Sequence, residues 1–399
     1  MDFLKRAKEL KNEIIESRRY FHQTAEVGLD MPMAQEYVIK KLKEYGLHPE
    51  KCGHGVTALL GKGAPVLLLR ADMDALPMEE DSGETFACRT GHAHACGHDF
   101  HAAMLLGAAK LLKECESELK GTVKFMFQPA EETFEGSRDM IANGILQDPP
   151  VDAALAFHVA PGKMGPGLFM YNAGGVMMNS VDGFHIDIKG KGGHGAYPNL
   201  AVDPLRIAAR IYAGLEELIA REANPEKTCV LTVGQIHGGN AANIIPDTAF
   251  MEGTLRTNDK AEREMLVRRI KETAEGAAKM CGGSVTITKL SEVPPLMCDR
   301  ELTEAMAGYM KELGILHPIA DMKANASEDF AVIAEQVPSV FMYLSAGFED
   351  ERGNYSAHNP KVRFNEDVIP IGMAGLAHCA VRWLEEALCS KEEAQREND

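Results

Sequence analysis

The character of the strands changes twice along this chain, and the change limits the folds that are open to it. In the first 180 residues the strands are short, almost entirely apolar runs, as at Val66–Leu69, Val123–Phe127 and Ala153–Phe157, and helical segments separate them. Such strands are buried on both faces, which is typical of a mainly parallel sheet flanked by helices. The pattern returns with a helix near Arg300–Leu313, another at Glu328–Gln336 and a strand at Ser339–Leu344. The two ends of the chain are therefore predicted to build one α/β domain.

The middle of the chain has strands of another kind. In Phe184–Lys189 apolar and polar residues alternate strictly, the pattern of a sheet with one wet face. Further strands at Thr228–Ile236, Thr248–Thr257 and Ser284–Lys289 and two helical stripes complete the order β-α-β-β-α-β. That order is typical of a ferredoxin-like α+β unit with an antiparallel sheet. We therefore predict a main domain of residues 1–180 and 295–399 and an inserted domain of residues 181–294.

Charge and composition exclude several classes of partner. The 399 residues include 42 Lys and Arg against 59 Asp and Glu, a formal net charge of −17, whereas nucleic acids and anionic membranes require a basic face. No run approaches the roughly 20 apolar residues of a membrane helix. The nine cysteines are odd in number and scattered without paired spacing, which fits a reducing compartment. The sequence predicts a cytoplasmic protein whose partners are neither nucleic acid nor membrane.

Histidines are concentrated in one short segment. Four of the fourteen lie within Gly91–His101, which reads GHAHACGHDFH. Cys96 and His98 are two residues apart, and on extended backbone that spacing places both side chains on the same side. With Gly97 between them, the segment reads as a loop that presents a thiolate and an imidazole together. A solvated histidine-rich loop is the alternative interpretation.

Acidic and histidine side chains also follow the apolar strands directly. Glu131 and Glu132 come after Val123–Phe127 in the run QPAEE, and His158 comes after Ala153–Phe157. Binding sites in open α/β sheets form beyond the carboxyl ends of the strands. Taken alone, an adjacent acidic pair is more often a solvated turn, but this position favours a site. His358, in the late run SAHNP, offers one more imidazole.

The number of candidate ligands indicates two metal ions. A single catalytic zinc takes three protein ligands and keeps one position open, which is fewer than the chain offers. Two ions that share one ligand and one water would use the whole set, as in two-metal hydrolases. Glu131, which is not needed as a ligand, is then placed to act as general base. The candidate ligands are Cys96, His98, Glu132, His158 and His358.

Motifs along nearly the whole chain resemble those of one family. The chain is similar to the aminoacylase/carboxypeptidase family of co-catalytic metallopeptidases, in particular to its N-acyl-amino-acid amidohydrolases, such as hippurate hydrolases and indole-acetyl-amino-acid hydrolases. The resemblance implies a di-metal exopeptidase-like fold with an inserted domain that serves as lid and dimerisation domain. The motifs are RRYFHQTAEVGL, RADMDALP, HACGHDFHAAMLLG, QPAEE, GKGGHGAYP, NIIP, GTLRT, SEDFA and SAHNP.

The resemblance also implies roles for single residues. It carries the metal-ligand role to the five candidates and the base role to Glu131. Asp74 resembles the acid that orients a metal ligand, and Asp72 stands where other branches of the family have a metal-binding histidine. Together with the CGHD run, Asp72 indicates the amidohydrolase branch.

Three residues of the inserted domain resemble family residues that contact substrate. His194 is similar to the histidine that stabilises the oxyanion, either in its own site or in that of a partner subunit, while Asn243 and Arg256 look like substrate contacts. Chemistry supports Arg256 separately, because on an acidic protein a substrate carboxylate requires a fixed guanidinium. On the pattern alone, an arginine at the position of Arg256, on an alternating strand, is more often a solvent-facing residue.

The sequence therefore predicts a homodimeric, metal-dependent amidohydrolase that cleaves N-acyl amino acids into a carboxylic acid and an amino acid. Two divalent ions per subunit are expected, with Mn²⁺ or Zn²⁺ favoured and Co²⁺ or Ni²⁺ compatible with the ligand types. Within the family, a metallo-carboxypeptidase, a dipeptidase or an N-acetyl-diaminopimelate deacetylase remains open. Outside it, a thiol hydrolase with Cys96 as nucleophile and a non-catalytic metal-binding scaffold remain open.

Overall fold

The computed structural model describes residues 1–315 and 319–398, and the side chains as far as residue 389. These residues divide into two compact units. The first takes the two ends of the chain, from Met1 to Met177 and again from Met297 onward, apart from a short segment. The second comprises Met178–Leu296 and that segment, Ala324–Ser327. The insert expected over residues 181–294 lies within the second unit.

The elements are numbered in chain order. The helices are α1 (Phe3–Gln23), α2 (Pro32–Glu44), α3 (His98–Glu114), α4 (Gly136–Ala142), α5 (Pro204–Glu217), α6 (Lys260–Cys281), α7 (Arg300–Glu312), α8 (Ala331–Ala334) and α9 (Ile369–Asn398). The strands are β1 (Glu50–Cys52), β2 (Gly55–Gly61), β3 (Val66–Asp72), β4 (Thr122–Gln128), β5 (Ala153–Ala160), β6 (Phe169–Met170), β7 (Gly175–Met178), β8 (Val181–Lys189), β9 (Gly193–His194), β10 (Cys229–Gly238), β11 (Ile244–Ile245), β12 (Thr248–Thr257), β13 (Ser284–Val293), β14 (Leu296–Cys298) and β15 (Ser339–Ser345).

The sheet of the first unit has the strand order β1-β2-β4-β3-β5-β15-β6. Its four central strands, β4, β3, β5 and β15, run parallel, and antiparallel pairs occur only towards its two edges. Strands β3, β4 and β15 are buried along their whole length, as their mostly apolar sequences predict. The predicted fold class, a mainly parallel sheet flanked by helices, is confirmed.

Helix α3 lies at the centre of this unit. It packs against α1 and α9 and against strands β3 and β5. Every residue from His98 to Ala109 is buried, because the Ala-rich sequence is apolar on all sides rather than along one stripe. A helix held on all sides fixes its first turn firmly, and His98 is the first residue of that turn.

The second unit has the predicted β-α-β-β-α-β order, here β8-α5-β10-β12-α6-β13. Its sheet has the order β10-β12-β8-β13, and all neighbouring strands are antiparallel. Ile186, Ile188, Ile211, Leu255 and Leu266 are among the buried residues that strands and helices share in the core. This is the ferredoxin-like topology, and β10 and β13 form its two edges.

Three features differ from the sequence-based expectations. Strands β1 and β2 were not predicted. The helix expected over Glu328–Gln336 is limited to Ala331–Ala334. Ahead of it, the Glu328 carboxylate accepts a hydrogen bond from the Phe330 amide. The segment Ala324–Ser327 belongs to the second unit, where Ala326 accepts a backbone hydrogen bond from Asn179. Within residues 1–315 and 319–398, no helix is long and apolar enough to cross a membrane.

Candidate metal centre

The candidate ligands of the first unit meet where its parallel strands end. Glu132 lies in the loop that follows β4, and His158 lies near the end of β5. Cys96 immediately precedes the glycine that caps helix α3, and His98 is the first residue of that helix. His358 comes from a late loop whose backbone hydrogen bond to Ala95 holds it beside the cysteine.

Two groups of possible ligand atoms at this edge of the sheet consist of predicted ligands alone. In one, the ligand atoms of Cys96, His98 and His158 all lie within 4.8 Å of one another. In the other, the ligand atoms of Cys96, Glu132 and His358 do so. The Cys96 sulfur belongs to both groups. The geometry therefore provides two neighbouring positions for cations, with one thiolate available to both.

Hydrogen bonds fix which ring nitrogen each histidine presents. His158 Nδ1 is 2.8 Å from the Val159 carbonyl oxygen, which can only accept, so Nδ1 carries the proton and Nε2 offers its lone pair. His98 Nδ1 lies 3.1 Å from Asp74 Oδ1. The other Asp74 oxygen accepts from the Glu132 amide at 3.0 Å. Asp74 thus orients one histidine and the backbone of the ligand loop, as outer-shell carboxylates do at metal sites.

Two buried atoms at the site have no hydrogen-bond partner within the described part of the chain. They are His98 Nε2 and Glu132 Oε1. Glu132 Oε1 lies 3.3 Å from His358 Nε2 and 4.0 Å from His98 Nε2. Unpartnered buried polar atoms are rare and costly, and a cation would satisfy both of these. The donor set of thiolate, imidazole and carboxylate also suits a divalent transition metal, so the residues present fit the expected ions.

The chemistry of Cys96 argues against its use as a nucleophile. Burial raises the pKa of its thiol to about 12, which outweighs the opposing effect of His98. A nucleophilic cysteine needs a lowered pKa, usually from a neighbouring cation or helix terminus. Because the thiolate becomes stable here only beside a strong positive charge, the environment suits a metal ligand better than a catalytic thiol.

Glu131 is buried beside both ligand groups. Its Oε2 lies 3.9 Å from His98 Nε2, and its ligand atoms also approach those of Glu132 and Glu328. Burial raises the pKa of Glu131 well above its usual value, and the nearby carboxylate of Glu328 raises it further. A carboxylate with a raised pKa accepts protons readily near neutral pH, which is the property that a general base needs.

The comparison with known families agrees with this geometry. Residues 68–382 match the model of Peptidase family M20/M25/M40. The chain belongs to this family. The family resemblance predicted from the motifs is confirmed, and the protein is a metal-dependent hydrolase.

Relatives of the M20/M25/M40 chain cover most of its length. It is 35% identical to the N-acetyl-L-cysteine deacetylase of Bacillus subtilis (strain 168), over 90% of this chain and 85% of the relative. It is 36% identical to IAA-amino acid hydrolase ILR1-like 2 of Arabidopsis thaliana, over 95% and 87%. The crystal structure of the Bacillus subtilis YXEP protein, titled a dinuclear metal binding peptidase, matches with a TM-score of 0.80 and 30% identity, over 95% and 99%.

The predicted site residues of the inserted domain lie in the second unit. His194 is exposed, and its Nδ1 accepts from the Ala196 amide at 3.0 Å. Asn243 is next to it, because its carbonyl accepts from the Gly195 amide at 2.8 Å. Arg256 lies on β12 and donates from Nη1 to Ser327 Oγ at 3.0 Å. Within this unit, therefore, His194 and Asn243 are brought together in one small β9–β11 ladder.

The site of this M20/M25/M40 protein also contains residues to which the sequence analysis assigned no role. Arg70 is fully buried and donates to Asp72 at 2.8 Å and to Glu328 at 2.8 Å. His101 contacts the other Asp72 oxygen through Nδ1 and accepts from the Val159 amide at 2.8 Å. The sequence does contain a sign that Arg70 is important: a charged residue inside the apolar run VLLLRAD must find a buried partner.

Replacing Cys96 is expected to remove more metal than replacing a ligand that belongs to only one of the two groups. Cys96→Ala takes a donor from both groups, whereas His158→Ala takes one from a single group. Elemental analysis of purified, metal-reconstituted protein should show loss at both positions for Cys96→Ala and about one ion lost for His158→Ala. Cys298→Ala, at another buried free cysteine, is the control and should keep the wild-type content. Full metal content in Cys96→Ala would contradict the shared-ligand geometry.

Proposed function

We propose that this protein hydrolyses the amide bond of N-acyl amino acids, releasing a carboxylic acid and an amino acid. The observation that carries the proposal is the pair of ligand groups that share Cys96, with the buried carboxylate of Glu131 beside them. The names of the curated relatives, an N-acetyl-L-cysteine deacetylase and an IAA-amino acid hydrolase, support the substrate class.

Two divalent ions would be held by Cys96, His98, Glu132, His158 and His358. When bound, such ions polarise an amide carbonyl and make a coordinated water more acidic. The buried thiol favours Zn²⁺, whereas the histidines and the carboxylate also suit Mn²⁺, Co²⁺ or Ni²⁺. Asp74 keeps His98 turned towards the ions, since its carboxylate contacts the opposite ring nitrogen.

Glu131 acts as the general base in this proposal. It takes a proton from the attacking water and delivers it to the leaving amine, so that the carboxylate ends the cycle unprotonated. Its burial and the nearby Glu328 carboxylate support this role, because both raise its pKa and so make its carboxylate a better proton acceptor.

Glu131→Gln is expected to lower kcat by about 10²–10⁴-fold, because the amide has the shape of the carboxylate but cannot accept the proton. Both metal ions should remain, since Glu131 is not one of the five proposed ligands. Steady-state kinetics on N-acetyl and N-benzoyl amino acids, with elemental analysis, measures both quantities. Glu135→Gln, on the exposed part of the same loop, is the matched control. Near-normal turnover by Glu131→Gln would rule out the assigned base.

His194 stabilises the oxyanion that develops on the amide carbonyl. Because its Nδ1 accepts from the Ala196 amide, the neutral ring carries its proton on Nε2. An exposed N–H donor of this kind can bind a developing negative charge. Asn243 supports the histidine loop through its backbone carbonyl and is proposed as a substrate contact.

Arg256 binds the α-carboxylate of the substrate. The planar guanidinium can pair with a carboxylate through two parallel hydrogen bonds, and Ser327 holds it in place through Nη1. Every N-acyl amino acid carries this carboxylate, so the contact selects the substrate class and leaves the choice of acyl group to other residues.

Arg256→Ala is expected to raise KM about 10- to 100-fold for substrates with a free α-carboxylate, which corresponds to the loss of about 1.5–3 kcal/mol from hydrogen bonds to a charged group. Carboxamide analogues of the same substrates, assayed in parallel, should be affected much less. Arg268→Ala, which removes an exposed arginine paired with Glu272, serves as control. An equal loss on acids and carboxamides would contradict the role.

We also propose a homodimer formed through the second unit. Strand β10 is an edge of its sheet, and the exposed apolar side chains Val230, Ile236, Leu205 and Tyr212 lie on it and on helix α5. An apolar edge strand of this length is an aggregation hazard unless a partner covers it, and a second copy could extend the sheet.

Ile236→Lys should increase the fraction of monomer, because it introduces a charge at the proposed interface. Leu290→Lys makes the same change on β13, the opposite edge of the same sheet, and should leave the assembly unchanged. Sedimentation velocity over a concentration series measures both. A monomeric wild type, or the same dissociation constant for both variants, would refute this interface.

A cytoplasmic location completes the proposal. Each of the nine cysteines is a free thiol, and five of them are buried. Unpaired cysteines in this number are typical of a reducing compartment.

A further inference from the structure

The loop that carries Glu131 and Glu132 has a strained backbone. Ala130 and Phe134 have positive φ values of 52° and 60°, in the left-handed region that residues other than glycine rarely adopt. The loop also closes tightly on itself, since the amides of Glu135 and Gly136 both donate to the Ala130 carbonyl. Such a conformation is energetically unfavourable and persists only where the surroundings hold it.

Asp329 joins the two ends of this loop. Gln128, the last residue of β4, donates from Nε2 to both Asp329 oxygens, at 2.7 and 2.8 Å. Ser137, just after the loop, donates from its backbone amide to Asp329 Oδ2 at 2.9 Å. The Ser137 hydroxyl also donates to Gln128 Oε1 at 2.9 Å, which closes a ring of three residues. All three side chains are completely buried.

Arg70 completes the ring from the neighbouring strand β3. Its Nη2 donates to Asp329 Oδ1 at 3.0 Å, and its Nε donates to Gln128 Oε1 at 2.9 Å. The guanidinium therefore offsets the charge that Asp329 brings into the core. Each Asp329 oxygen accepts two hydrogen bonds from protein donors, so this carboxylate is held firmly between the two ends of the loop and Arg70. A buried polar network with its members satisfied is rigid.

We propose that Asp329 is a positioning residue, which through Gln128 and Ser137 holds residues 129–136 in the strained conformation that aims Glu131 and Glu132 at the metal centre. This inference rests on the proposed function, in which Glu131 is the base and Glu132 is a ligand. Asp329 contacts this loop although it lies 201 residues away from Gln128 in sequence.

Asp329→Asn tests whether Asp329 holds the loop of residues 129–136, and it hardly changes the shape of the side chain. The amide nitrogen that it introduces must face either the Ser137 amide or the Arg70 guanidinium, and in both cases also the Gln128 amide nitrogen. All of these are donors, so two contacts are lost. We expect kcat to fall about 10- to 100-fold, as for other outer-shell partners, with KM changed less than about threefold. Asp139→Asn removes a partly exposed carboxylate on α4, which accepts from the His54 amide, and should leave kcat unchanged.

The double variant Gln128→Glu/Asp329→Asn separates positioning from general damage. It keeps the total charge and lets the amide introduced at position 329 donate to the carboxylate introduced at position 128, so part of the ring reforms. We expect the double variant to recover at least about threefold of the kcat lost in Asp329→Asn, as restored outer-shell support should. If Asp329→Asn does not fold, Ser137→Ala, which removes only the hydroxyl contact to Gln128, should lower kcat about 3- to 10-fold at a nearly unchanged Tm.

A second readout does not depend on activity. Hydrogen–deuterium exchange of metal-free protein should be faster over residues 129–136 in Asp329→Asn and slower again in the double variant, while exchange in β3 and α3 stays as in wild type. The proposal would be overturned if Asp329→Asn leaves exchange in this loop unchanged and keeps kcat within about twofold of wild type. It would also be overturned if the double variant does not reduce the loss of kcat. If the wild-type protein hydrolyses no N-acyl amino acid, the proposed function fails. The exchange data alone then decide whether Asp329 holds residues 129–136 in place.

Discussion

Negative charge buried at the carboxyl edge of the parallel sheet has to be compensated, and the rest of the site follows from how this is done. Arg70 lies within 3.0 Å of Asp72, Glu328 and Asp329, all of them buried. Removal of one partner from such a cluster leaves charge uncompensated in a medium where it is expensive. The Arg70 guanidinium is paired with these three carboxylates. The thiol of Cys96 and the carboxylate of Glu132 belong to the ligand groups instead. Because burial raises the pKa of the Cys96 thiol to about 12, its thiolate needs a nearby cation, which explains why the same edge of the sheet suits metal.

The fold brings these groups together because β3 is a central strand. It lies between β4 and β5, so a side chain at its end can contact the residues that follow both neighbours. Asp72, the last residue of β3, contacts Arg70 on one side and His101 of helix α3 on the other. His101 in turn accepts from the Val159 amide beside the candidate ligand His158. Helix α3, strand β3 and strand β5 are thus connected at the point where the ligands begin.

Local sequence patterns were sufficient for most of the elements and indicated the candidate ligands. Almost entirely apolar runs correctly predicted β3, β4, β5 and β15, and strict alternation predicted β8. The spacing of Cys96 and His98 predicted that both face one site. Sequence patterns could not predict that Cys96 belongs to two ligand groups, or that Asp329 lies against Gln128. Those contacts join residues far apart in the chain, and topology rather than local periodicity brings them together. The predicted helix over Glu328–Gln336 was too long for the same reason, since its first residues are drawn into the Arg70 network.

The adjacent acids Glu131 and Glu132 show how the strained loop serves chemistry. On ordinary extended backbone, neighbouring side chains point to opposite faces, and one of the two would leave the site. Here the left-handed conformations of Ala130 and Phe134 curl the loop, so Glu132 Oε1 approaches His358 while Glu131 Oε2 approaches His98. One short loop can therefore supply a ligand and a base to the same centre. Backbone geometry sets the distance between the Glu131 and Glu132 carboxylates. The proposed base can therefore reach the attacking water only if the loop is rigid.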